Sequence, residues 1–141
     1  MNDNIIDSRD IIERIAELEN ELFSAYEDEN TQLDFDDYIE MVLDDELHQL
    51  HIVAVELKEY CRLQDDCEHV PDWDYGEALI KEDHFVNYIT ELINDCYELP
   101  NIALNEWPYR HIKLNYEAAA QEARSDYSEV ELFGQTYLIR G

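Results

Sequence analysis

Glycine and proline are scarce in this 141-residue chain, with three of each. Loop-rich architectures and glycine-lined phosphate sites need more, so neither a P-loop nor a dinucleotide-binding G-x-G-x-x-G is present. A G-x-S-x-G nucleophile elbow is missing too. Cysteine occurs three times, with Cys61 and Cys96 expected on apolar helix faces and Cys67 in a polar loop. That odd number without framework spacing excludes a disulfide scaffold and points to free thiols in a reducing cytosol. No apolar run reaches the roughly 18 residues that a membrane span needs. The opening MNDNIIDSRD is acidic, unlike a signal peptide, and the expected setting is the cytoplasm of a host cell.

The scarcest commodity is positive charge. Nine Lys and Arg face 36 Asp and Glu, for a formal net charge of −27. Residues 1–71 hold 22 acidic and 4 basic residues, a balance of −18, and residues 72–141 hold 14 and 5, a balance of −9. Such a surplus repels nucleic acid, lipid headgroups and acidic substrates. It excludes direct nucleic-acid binding and a membrane surface, and it calls for a basic protein partner. A purely solubilising role or a high-salt habitat is the plain alternative, but 10 Tyr, 4 Phe and 2 Trp are more aromatics than halophilic surfaces carry. Hydrophobic residues make up 45%, enough to build a core.

What the chain has in abundance is helical periodicity. Ile11, Ile12, Ile15, Leu18, Leu22, Ala25 and Tyr26 repeat at helical spacing, so a first helix is expected over about 9–27 with Ser8 as its N-cap. From Asp34 to Leu63 no Gly or Pro interrupts Phe35, Ile39, Val42, Leu43, Leu47, Leu50, Val53, Ala54, Leu57, Tyr60 and Cys61. This predicts one helix about 45 Å long at roughly 1.5 Å per residue. Its wet face carries Asp36, Asp37, Glu40, Asp44, Asp45, Glu46, Glu56 and Glu59 against Lys58 and Arg62. The two helices should pair as an antiparallel hairpin over 1–70.

Pro71 and Gly76 mark a connector into a second part, 71–141. A helix is expected from Asp83, or as early as Glu77, to Cys96, and an irregular crossing segment around Trp107-Pro108. Asn115 should cap a short alanine-rich helix. Glu129–Leu132 and Gln135–Ile139, joined by Phe133-Gly134, read as a terminal β-hairpin. The fold class is α+β, mostly α: an N-terminal antiparallel helical hairpin, then a small α+β part ending in that β-hairpin.

Two metal readings are weak. His48 and His51 follow Asp44 and Asp45 by one turn, but no second half-site answers them. Cys61, Cys67, His69 and Cys96 match no zinc spacing. With 36 carboxylates, an acid–base pair proves nothing, so the chain is read as a non-enzyme without metal or cofactor.

Trp107-Pro108, Ile112, the run Asn115-Tyr116-Glu117-Ala118-Ala119-Ala120, Asp126-Tyr127 and the Gly134 turn resemble the end of ArdA-type antirestriction proteins. The resemblance covers 71–141 at most and is strongest over 107–134. Asn115 stands where that family has Asp, Gln121 where it usually has Arg, and 1–70 shows no likeness to its N-terminal part. Family members are acidic, elongated mimics of B-form DNA from phages and mobile elements. They occupy the DNA groove of type I restriction–modification enzymes.

The resemblance and the charge lead to one expectation. B-DNA carries one charge per about 1.7 Å, so 27 charges correspond to roughly 46 Å, or about 13 base pairs. The expected function is inhibition by DNA mimicry, with the chain seated in the basic DNA-binding cleft of a host defence protein. That protein is a type I restriction–modification enzyme, a CRISPR effector or another DNA-handling protein. The expected partner-binding carboxylates are Asp36, Asp37, Glu40, Asp44, Asp45 and Glu46, with Glu13, Glu17 and Glu21 on the first helix. A homodimer is compatible with the pattern. The alternative is an acidic helical adaptor that binds a protein through an apolar seam.

Overall fold

The computed structural model describes residues 4–96, 107 and 115–141. Pro108 and Ile112, and with them most of the expected crossing segment, lie outside the described residues. The element order is β1 (Ile5–Asp7), α1 (Ser8–Glu29), α2 (Phe35–Asp44), α3 (His51–Asp66), β2 (Ala78–Lys81), α4 (Phe85–Cys96), α5 (Tyr116–Ala123), β3 (Tyr127–Leu132) and β4 (Gln135–Arg140). The four strands form one antiparallel sheet in the order β1-β2-β4-β3. The α+β class and the C-terminal β-hairpin are as expected.

Strand alternation sends successive side chains to opposite faces, and this sheet buries both. On one face Ile6, Leu79, Tyr137, Ile139, Val130 and Leu132 join Ile11, Leu18, Leu22, Tyr38, Leu57, Tyr60 and Leu63 from α1, α2 and α3. On the other, Ile80 and Leu138 meet Phe85 and Ile89 of α4 and Ala120 of α5. The result is three layers, helices on sheet on helices. The larger cluster draws on both sides of residue 70, with Val70 and Trp73 joining α1 and α3.

Ser8 ties the layers together. It is fully buried. Its hydroxyl donates to the Trp73 carbonyl at 2.8 Å and accepts from the Glu77 amide at 2.7 Å. The N-cap of α1 is therefore Asp7, one residue before the expected Ser8, and its carboxylate accepts from the Arg9 amide at 2.9 Å.

The thirty-residue second helix is not formed. It breaks at 45–50 into α2 and α3. Side chains in the turn hold it by accepting from backbone amides, as polar groups do in competition with the helix. The Asp45 carboxylate accepts from the Leu47 amide at 3.1 Å, and His48 Nδ1 accepts from the Leu50 amide at 3.0 Å. Packing agrees with the break. Val42 and Ala54 are both fully buried, yet in one straight helix their directions would differ by about 120°. Leu47, expected in the core stripe, lies in this turn and is 95% exposed. The hairpin closes mainly through α3. Arg14 meets Glu56 and, at the other end of α1, Glu29 approaches His48, so the two chain directions oppose.

β1 and β2 were not expected. The segment from Glu77 enters the sheet as β2, and α4 begins only at Phe85 after a short 3-10 turn at Glu82–His84. The three cysteines are free thiols. Cys67, expected in a polar loop, is the C-cap residue of α3 and is buried in the larger core cluster. Cys96, expected on an apolar face, is exposed at the last residue of α4.

Candidate protein-binding surface

All nine expected carboxylates are exposed. Glu13, Glu17 and Glu21 lie at steps of four on α1, about 6 Å apart along its axis. Asp10, Glu27 and Asp28 are exposed on the same helix. At 22 residues α1 is the longest described element, about 33 Å. Asp36, Asp37, Glu40 and Asp44 sit on α2, which spans only about 15 Å. Asp45 and Glu46 fall in the turn beyond it. The structure thus separates the expected single row of six into a short helical row and a turn. The length match between helix two and about 13 base pairs goes with it, and the long acidic row belongs to α1 instead.

Four of the five described arginines are paired with carboxylates. Arg9 pairs with Asp7 at 2.7 Å, Arg14 with Glu17 and Glu56 at 3.1 Å each, and Arg62 with Glu59 at 2.7 Å and Asp66 at 2.9 Å. Arg124 pairs with Glu82 at 2.7 Å and also with Glu129. Hydrogen bonds from these partners, Arg9 on Asp7 and Arg62 on Glu59, hold both carboxyls below the usual range. Of the expected wet face, Glu56 and Glu59 are therefore already engaged. Of the nine candidate carboxylates, only Glu17 forms an ion pair with a described Lys, Arg or His.

Both candidate histidines serve the α2–α3 turn. His48 uses Nδ1 on Leu50, and the His51 Nδ1–H donates to the Val42 carbonyl at 3.1 Å. Among the described residues, no group of three or more His, Cys, Asp or Glu is arranged to hold a metal. No helix among them is long and apolar enough to cross a membrane.

One surface feature was missed. Ile52 is 77% exposed, Val55 44% and Phe133 46%. They border a shallow groove of about 310 Å³ together with Glu56 and Tyr60. The signal was legible: Ile52-Val53-Ala54-Val55 is apolar on every side of a helix, so part of it must face outward. Phe133 is held there by two contacts. Its amide donates to Glu59 at 3.0 Å, and its ring meets Tyr60 edge-on at 5.4 Å. It also occupies the first position of a two-residue hairpin turn, with φ +50°, followed by Gly134 at φ +76°. Such turns want Asn-Gly; a bulky residue there costs about 1–2 kcal/mol.

Comparison of the chain with protein-family models, with curated proteins and with solved structures finds no match in any of the three.

Proposed function

We propose that the protein is an acidic inhibitor that mimics DNA and occupies the DNA-binding cleft of a host defence protein, a type I restriction–modification enzyme or a CRISPR effector. The observation that carries this is the exposed carboxylates of α1 and α2: among the described residues, only Glu17 of the nine is in an ion pair, with Arg14, while Arg9, Arg62 and Arg124 pair with other carboxylates. An acidic surface kept only for solubility needs no such separation. The resemblance of the C-terminal third to antirestriction proteins points the same way. In this reading the carboxylates replace phosphates against Lys and Arg, displace their counterions and offer nothing to cut or modify. The protein acts by binding, with no chemistry of its own.

The rival adaptor reading places the contact on the apolar seam of the helical hairpin. That seam is spent: Ile11, Leu18, Leu22, Leu57 and Leu63 are buried against one another and the sheet. Salt is the test. The complex with a purified type I methyltransferase should weaken about linearly in log affinity against log salt, with the multi-charge slope typical of a DNA ligand. Affinity that is flat with salt would remove the mimic reading.

A further inference from the structure

We infer that the groove between α3 and the β3–β4 turn is a second binding determinant, an apolar anchor site for a side chain projecting from a basic protein surface. Two independent observations carry it. Ile52, Val55 and Phe133 leave apolar surface open beside the half-buried stem of Glu56. Phe133 also holds a left-handed backbone position where a polar Asn would sit without strain and keep the turn. The ring covers Tyr60 edge-on, and the residue still leaves 46% of its surface open beside the groove. The groove volume lies at the bottom of the range of ligand pockets, about 300–1,000 Å³, which suits one or two side chains better than a cofactor.

The occupant follows from charge. A second copy of the chain would bring another −27 against this one, so self-pairing is opposed by long-range repulsion. A partner whose apolar side chain is flanked by Lys or Arg is drawn in by the same field. Charge would then supply steering and most of the salt dependence, and the groove a component that salt does not screen. This holds for any basic partner and does not require that the partner be a DNA-handling enzyme.

The probes are two synthetic peptides of equal charge, one of Lys and Leu, the other of Lys and Ser. At high salt the full chain should prefer the Lys/Leu peptide by about tenfold or more. Phe133→Asn should erase that preference while leaving the thermal midpoint unchanged or higher, because the turn is relieved. Ile52→Ser with Val55→Ser should erase it too, with the low-salt affinity for the Lys/Ser peptide intact. No preference in the unaltered chain, or a preference that survives both variants, would overturn the inference. So would a dimer in sedimentation at high salt that Phe133→Asn dissolves, since the groove's occupant would then be a second copy.

Discussion

Ser8 shows how much one small residue carries in this molecule. Its hydroxyl satisfies the Trp73 carbonyl and the Glu77 amide at the junction of helix, connector and sheet, at 0% exposure. Ser8→Ala leaves both groups unpaired, and a buried unsatisfied group costs about 1–3 kcal/mol. Urea unfolding should report a loss in that range, and a loss near zero would contradict the assigned role. A second expectation concerns alkali. Burial pushes the Cys67 thiol up to about 11 and, with the Glu29 carboxylate adding to it, the Tyr38 phenol up to about 12. Both raised groups favour the neutral form in the fold. Their contribution is complete below the ordinary pKa values of 9.0 and 10.0 and is lost as pH rises to about 11 and about 12. Each can remove up to about 1.4 kcal/mol per pH unit within its window. Urea midpoints should therefore fall from pH 9 upward, and Cys67→Ala should flatten the first part of that fall. An unchanged midpoint between pH 8 and 11 would contradict it.

At the scale of elements, α1 was legible because its apolar residues keep one period for 22 residues. The β-hairpin was legible because two runs rich in Val, Leu, Tyr and Ile flank a Phe-Gly turn. The break between α2 and α3 was not, since periodicity records spacing and is blind to side chains that accept from amides two residues ahead. β1 and β2 are three and four residues long. They exist through partners distant in the chain: β1 lies along Ala78–Ile80, and β2 lies along β4. No local pattern announces such strands. Exposure of the nine carboxylates was readable from the polar side of each helix, but their division between a long row, a short row and a turn was not. The break itself is testable. Replacing Asp45 and His48 by Ala removes two backbone partners worth about 0.5–1.5 kcal/mol each. The double variant should unfold earlier without gaining helix in the far-ultraviolet circular dichroism spectrum. A gain of helix with stability intact would mean that the turn residues merely interrupt a rod that would otherwise form.

For the whole molecule, charge is the dominant fact. A chain carrying −27 repels itself in the folded state. Added salt screens that repulsion, with the Debye length shrinking from about 30 Å at 0.01 M to about 10 Å at 0.1 M. The thermal midpoint should rise across this range, and a fall would mean that the arginine pairs outweigh the repulsion. The same uncompensated charge is the substance of the functional proposal. Individual exposed ion pairs contribute only about 0–1 kcal/mol, so Asp44→Asn alone should be nearly silent. The groups must act together. The most direct measurement is competition with a DNA duplex for a purified type I methyltransferase at low salt. It compares the unaltered chain with a variant in which Glu13, Glu17, Glu21, Asp36, Asp37, Glu40, Asp44, Asp45 and Glu46 are all amides. The variant should stay folded, because these side chains face solvent and an Asn at 45 still accepts from Leu47. The unaltered chain should displace the duplex and the variant should fail by orders of magnitude. A folded variant that displaces the duplex as well as the unaltered chain would show that the acid rows are not the binding surface.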